Sequence, residues 1–176
     1  LESGAIEPVI SDFPVASMLA RLLSDFSFPA EQKGLELRIV ASQAWLRSDP
    51  ELLAEITHNL VANAIKYTLH GKILVGCRRQ GHHMRIEIWD TGSGIPEERR
   101  QLIFEEFYQL DNPARDRKRG LGLGLAIVDR LARLLNHPID IQSKPGTGSM
   151  FAVTVPLGQA IEQELIQPAS VTPNAQ

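Results

Sequence analysis

Two asparagines one helical turn apart, a lysine and a tyrosine just beyond them, and an aspartate that closes an apolar strand before a glycine pair are the side chains best placed to do chemistry. The asparagines, Asn59 and Asn63, follow Asp49-Pro50, an N-cap with proline in the first turn, which predicts a helix running to about Thr68. At about 100° per residue, Leu52, Leu53, Ile56, Leu60, Ala64 and Tyr67 form its apolar arc. Asn59, Asn63 and Lys66 cluster along one edge of that arc, and Asn63 falls between Leu52 and Ile56, so its amide is expected to be partly buried. A buried amide needs a partner. For a single asparagine the backbone is the ordinary partner. Two of them with a lysine also form a donor set for a hydrated divalent cation that shares a phosphate: neutral oxygens suit magnesium, and an ammonium suits a phosphate oxygen.

The segment HMRIEIWD (83–90) alternates like a strand, with Met84, Ile86, Ile88 and Asp90 on one face and Arg85, Glu87 and Trp89 on the other. Asp90 therefore points to the apolar side and precedes TGSGIP, where glycines let backbone approach a ligand. It is either a turn-forming aspartate or an acceptor for an exocyclic amine such as that of adenine. GLGLG (120–124) opens a second helix and offers amides and a positive dipole end to an anion. Its glycine spacing, and the charged DNPARDRKR before it in place of a strand, do not fit a dinucleotide-binding fingerprint. Arg115, Arg117, Lys118 and Arg119 are a solvated surface or, beside that phosphate site, a polyphosphate lid. Gly146-Thr147-Gly148 is a turn or a ligand loop. Cys77 reads as a small core residue beside Ile73 and Val75. His82 and His83 sit at a hairpin tip, and His58, His70 and His137 have no metal-ligand spacing.

The elements that must position these groups follow from changes of period. VASMLARLLSDF (15–26) and LGLAIVDRLARLL (123–135) are helical. LELRIV (35–40), IDIQS (139–143) and SMFAVTVP (149–156) are strands, and KILVGCRR (72–79) pairs with 83–90 around Gly81-His82. The mixture predicts an α+β fold, a two-layer α/β sandwich with one mixed sheet covered on one face by helices. Residues 1–10 read as the remnant of a preceding domain and its linker, 11–157 as the domain, and 158–176 as a linker or tail, so the chain is expected to be an excised piece. A net charge of −3 argues against a general nucleic-acid binder. One cysteine excludes an internal disulfide and a four-cysteine zinc site. No apolar run approaches the roughly 18 residues of a membrane span, and a cytoplasmic setting is expected.

In their order these segments resemble the ATPase domain shared by histidine kinases, type II topoisomerases, large heat-shock chaperones and mismatch-repair ATPases. NLVANAIKYT (59–68) is similar to the N box, DTGSGIP (90–96) to the first glycine box, FEEFYQL (104–110) to the F box, RGLGLGLAIV (119–128) to the second glycine box and GTGS (146–149) to the third. The resemblance implies the Bergerat-type fold with ATP and Mg2+ as ligands. It makes Asn63 the metal ligand with Asn59 assisting, Lys66 a phosphate contact and Tyr67 a wall of the pocket. Asp90 becomes the adenine acceptor, supported by Gly92, Gly94 and Ile95. Phe107 of the F box and Arg119, Gly120, Leu121, Gly122, Leu123 and Gly124 close over the phosphates, Thr147 flanks the base, and 111–119 form a mobile lid. Hydrolysing branches place a glutamate where this chain has Asn59. That difference, with NxxxNAxKYT and FYQLD, is most like the histidine kinases, and FYQLDNPARDR and RGLGLGLAIV are most like the hybrid kinases that carry a receiver domain. Gln109 stands where many kinases have arginine. The implied activity is transfer of the γ-phosphate of Mg-ATP to a histidine on an upstream dimerisation domain, with a response regulator or attached receiver as partner and a homodimeric full-length protein. The alternatives are an ATP-driven conformational ATPase, an anti-sigma-type serine kinase and a nucleotide-sensing module without catalysis.

Overall fold

The computed structural model describes residues 6–106, 108 and 122–160. Its centre is a five-stranded sheet built from β2 (Leu35–Ile39), β4 (Gly71–Gln80), β5 (His83–Asp90), β7 (Gly148–Pro156) and β6 (Ile139–Lys144), in that spatial order, with β1 (Ser11–Pro14) and β3 (Trp45–Ser48) forming a separate pair. β2 runs parallel to β4 and every other contact in the large sheet is antiparallel, so the sheet is mixed. The hairpin turns at Gly81-His82 with Gln80 opposite His83, the register that the alternation of both strands requires.

Three helices, α1 (Val15–Gln32), α2 (Pro50–Tyr67) and α3 (Gly124–Leu135), pack on one face of the sheet. They cover Ile73 and Val75 of β4, Met84, Ile86 and Ile88 of β5, and Phe151, Val153 and Val155 of β7 in one continuous core. α2 starts as its sequence requires: the Asp49 carboxylate accepts from the amides of Glu51 and Leu52 at 3.0 and 3.1 Å. The same side chain accepts from the amide of Val9 at 2.7 Å, which ties the segment before β1 to the start of α2.

Several features depart from the expectation. α1 does not stop at Phe26 but continues through Pro29 to Gln32, because Phe26 and Ala30 prolong the stripe buried by Val15, Met18, Leu19 and Leu22. Burial of that stripe outweighs the hydrogen bond that proline removes. The β1–β3 pair carries no strong alternation of its own and is held by pairing across residues 11–48, with a bridge from Leu46 to Leu157. The uncovered face of the sheet is not simply solvated. Arg85 and Glu87 are both buried there, Arg85 donating to Glu87 at 3.0 Å and to Asp140 at 2.6 Å, while Arg78 reaches Glu87 at 3.1 Å.

His137 is buried between α3 and β6, its Nε2 2.7 Å from the hydroxyl of the buried Ser48. Burial holds its pKa below the ordinary histidine value. The unfolded chain therefore takes up this proton first as pH falls. The stability contributed by neutral His137 is complete above the unfolded value and is lost as pH drops through the window down to the folded one. The midpoint of urea denaturation should fall from pH 7.5 to pH 5.5 in the wild type, and less in His137→Gln, whose amide cannot titrate in that range.

Candidate functional site

The ends of α2, β5, β7 and α3 meet around a cavity of about 530 Å3, part of it open to solvent. Asn63, Ala64 and Tyr67 line it from α2, Asp90 from the end of β5, Ser93, Gly94 and Ile95 from the loop that follows, Leu125 from α3, and Ser149 and Phe151 from β7, with Ile103 and Tyr108 completing the lining. Asn63, Tyr67, Asp90, Gly94 and Ile95, singled out from the sequence, thus line one cavity.

The helix that supplies Asn63 is held at both ends. Asp49 caps its start, and Lys33, just past α1, donates to the carbonyls of Ile65 and Lys66 at 2.6 and 2.9 Å, occupying acceptors that the helix leaves open. Along α2 the two asparagines differ. The Asn59 amide nitrogen bonds back to the Glu55 carbonyl at 2.9 Å, and its oxygen takes no hydrogen bond among the described residues. Asn63 is half-buried and makes no hydrogen bond among the described residues. Both oxygens approach the first residue of α3: a Cβ built on Gly124 would lie 3.2 Å from Asn59 Oδ1 and 3.8 Å from Asn63 Oδ1. Glycine there leaves a cradle bounded by two amide oxygens and by the start of a 12-residue helix whose first amides have no side-chain cap. A cation that keeps its waters fits the oxygens, and a phosphate fits the helix end. Lys66 lies with Nζ 5.1 Å from the centre of the Tyr67 ring, at the side of the cavity rather than in its wall.

Asp90 projects from β5 to the covered face, as strand parity requires. Its Oδ1 accepts from the Gly92 amide at 2.8 Å, and the Ser149 amide also donates to the carboxylate. Burial pushes its pKa above the ordinary aspartate value, and these two donors partly offset the effect. The glycines that follow are required by close approach. A Cβ on Gly92 would stand 2.5 Å from the Tyr67 carbonyl oxygen. Gly94 has a φ of +70° and packs on the backbone of Lys144 and Pro145, so both strain and overlap exclude a larger residue.

Ser143 is a further residue of the site. Its hydroxyl accepts from the Ile95 amide at 2.7 Å and contacts the Ser149 hydroxyl at 2.8 Å, and its carbonyl accepts from Arg100 at 2.6 Å. It fastens the loop after Asp90 to β6 and β7. Nothing in the sequence marks it, since its partners lie 43 to 48 residues away or across the β6–β7 turn. Thr147 does not line this cavity. It is exposed and borders a groove on the uncovered face of the sheet with Lys72, Trp89 and Met150. Gly122 and Leu123 are half-buried just before α3. Phe107, Arg119, Gly120 and Leu121, and the expected lid at 111–119, lie outside the described residues. Cys77 packs against the core, where burial pushes its thiol up to about 11. Among the described residues no helix is long and apolar enough to cross a membrane.

Among curated proteins the chain is 32% identical to the circadian input-output histidine kinase CikA of Synechococcus elongatus, over 99% of this chain and 23% of that protein. It is 33% identical to an uncharacterized sensor-like histidine kinase of Rhizobium meliloti, over 89% of this chain and 30% of the relative. It is 38% identical to the sensor histidine kinase RcsC of Escherichia coli, over 64% and 12%. It thus spans under a third of each of these relatives. Among solved structures, full-length ShkA in complex with AMPPNP superposes with a TM-score of 0.77 at 28% identity, covering 89% of this chain and 33% of that one. The catalytic domain of the histidine kinase ThkA, at 22% identity and a TM-score of 0.71 over 84% of this chain and 95% of its own, has the same fold. The sequence model of the histidine kinase-, DNA gyrase B- and HSP90-like ATPases matches residues 48–159, the span that carries α2, Asp90, its glycine loop and α3, and the chain belongs to that family as an ATP-binding catalytic domain of the sensor histidine kinase kind.

Proposed function

We propose that this domain binds Mg-ATP and donates the γ-phosphate to a histidine on a separate, upstream dimerisation domain of a two-component signalling protein. The observation that carries the reading is the convergence of Asn59 Oδ1 and Asn63 Oδ1 on the start of α3, with Asn63 lining the same cavity as Asp90. In this reading Asp90 accepts from the adenine amine, Tyr67 and Ile95 flank the base, and Gly122, Leu123 and Gly124 present amides to the phosphates. Lys66 swings from the Tyr67 ring to a phosphate oxygen, and Asn63, assisted by Asn59, holds magnesium. The metal, when bound, neutralises phosphate charge. The protein supplies position, the dominant contribution in phosphoryl transfer.

Transfer to an imidazole, rather than to water, agrees with Asn59. A carboxamide cannot take a proton from water at neutral pH, so hydrolysis lacks its general base, whereas a neutral imidazole is a nucleophile without one. We place the acceptor upstream because none of the five histidines has the sequence setting of a phosphoacceptor: His137 is buried, and His58, His70, His82 and His83 are scattered over the surface. A response regulator or an attached receiver would take the phosphoryl group onward, and the full-length protein would be a homodimer.

The test is to incubate the chain with γ-labelled ATP, alone and with a protein carrying the upstream histidine domain. The chain alone should bind ATP, turn it over slowly and keep no label. The mixture should label the added domain with the acid lability of a phosphohistidine. Stable label on the isolated chain would place the acceptor among its own side chains and overturn the assignment.

A further inference from the structure

Thr68 ends α2, its side chain is fully buried, and its hydroxyl has no hydrogen-bond partner among the described residues. A hydroxyl buried alone is costly, and its persistence in a fold asks for a reason. Its neighbours supply one. The face of Gly92 that lacks a side chain is ringed by three oxygens: a Cβ there would stand 2.5 Å from the Tyr67 carbonyl, 2.9 Å from Asp90 Oδ1 and 3.2 Å from Thr68 Oγ1. Of these groups only the threonine carries a proton to give. The stronger acceptor beside it is the Asp90 carboxylate, whose Oδ1 already takes the Gly92 amide.

We propose, on the reading of Asp90 as the adenine acceptor, that Thr68 is a specificity-determining residue: with a base bound, its hydroxyl donates to the back of the Asp90 carboxylate and fixes the acceptor that selects a 6-amino purine over a 6-oxo purine. A carboxylate oxygen accepts the 6-amino N–H of ATP but meets a lone pair on the 6-oxo group of GTP. Once protonated, the same carboxyl donates to the 6-oxo oxygen and the preference weakens. Each donor behind the carboxylate favours the ionised form, and the buried setting that raises the Asp90 pKa makes the third donor matter. Near the Asp90 end of the surrounding elements the ionisable groups are Lys66 and Tyr67 of α2, His70 after it, Lys72 of β4, Glu87 of β5 and Lys144 of β6, whereas His83, Arg85, Cys77, Arg78, Arg79, Asp140, Glu51, Glu55 and His58 lie farther along those elements, and β7 has none. His70 is exposed, and Glu87 is held by Arg85 on the opposite face.

The experiment is calorimetric binding of ATP and of GTP from pH 5 to pH 8 to the wild type, Thr68→Val and Thr68→Ser, with Thr68→Ala in reserve should the valine variant not fold. The variants without a hydroxyl should lose roughly tenfold in ATP-over-GTP preference, the worth of one hydrogen bond to a charged group. The pH below which ATP affinity falls should move up. Thr68→Ser should keep both wild-type properties. A purely structural threonine would change thermal stability and leave the nucleotide ratio and the pH midpoint where they were. That result, or a serine variant as impaired as the valine one, overturns the proposal. Asp90→Ala separates the two levels: weakened ATP binding there, with an unchanged ratio in Thr68→Val, retires Thr68 alone, whereas unchanged ATP binding in Asp90→Ala retires the adenine reading and this inference together.

Discussion

Asn63→Ala should abolish transfer to a supplied histidine domain, reducing the rate by roughly a hundred- to thousandfold or more, as removal of one group that stabilises transition-state charge does elsewhere. The helix should not notice. Asn63 is half-buried, bonds to nothing among the described residues, and sits between core positions Leu60 and Ala64 without being one of them. Alanine is also a better helix former than asparagine, so circular dichroism and the thermal midpoint should be unchanged or slightly raised. ATP binding by the variant should lose its dependence on magnesium, because the amide oxygen facing the start of α3 is gone. The control is Asn59→Ala, which should have a smaller effect, since the Asn59 side chain is partly committed to the Glu55 carbonyl. An Asn63→Ala protein that transfers phosphate at the normal rate would make Asn63 a structural residue.

The contrast between the asparagines marks where sequence reasoning reached and where it stopped. Helix α2, its cap at Asp49, the hairpin at Gly81-His82 and the inward aim of Asp90 are local consequences of period and turn chemistry, and each could be read from a few adjacent residues. The clamp of Lys33 on the end of α2 and the fastening of the Asp90 loop by Ser143 depend on chain segments 32 to 48 residues apart. Lysine and serine are the commonest surface residues, so neither type gives a signal. The walls of the cavity were half legible for the same reason. Tyr67, Ile95 and Asp90 belong to segments that chemistry picks out, but Phe151 and Leu125 look like any core residue of a strand or helix. Thr147 belongs to a glycine segment that the sequence picks out, but Gly148, with φ +138°, follows it, and Ser149 and Phe151 rather than Thr147 line the cavity.

The fold also accounts for the residue types around Asp90. A buried carboxylate is unstable as an anion, and this one is kept usable by backbone amides from two directions, Gly92 and Ser149, each fixed by something else. Gly92 is pressed against the end of α2, and Ser149 is tied through its hydroxyl to Ser143. The carboxylate is therefore held in place in the free protein, and on the proposed reading of Asp90 as the adenine acceptor little ordering entropy remains to oppose binding.

Asp90→Ala should weaken ATP binding by roughly ten- to a hundredfold, about 1–3 kcal/mol, because the adenine amine is then buried without an acceptor. Discrimination against GTP should weaken with it, since the repelled 6-oxo group no longer faces a lone pair. The pH dependence gives an independent check, with its sign fixed by the raised pKa. The amine needs the ionised carboxylate, so wild-type ATP affinity should fall as pH drops through the raised value, above the range where an exposed aspartate would titrate. The free protein should respond the other way. In that window the folded state binds the Asp90 proton more tightly than the unfolded chain does, so the Asp90 contribution to stability rises as pH falls. In Asp90→Ala both trends should vanish together: affinity, though weaker, becomes flat across the window, and that part of the pH dependence of stability disappears. Calorimetric titration and denaturant unfolding at matched pH values measure the two. Unchanged ATP affinity in a folded Asp90→Ala protein would leave Asp90 as a turn-forming aspartate and move adenine recognition elsewhere in the cavity.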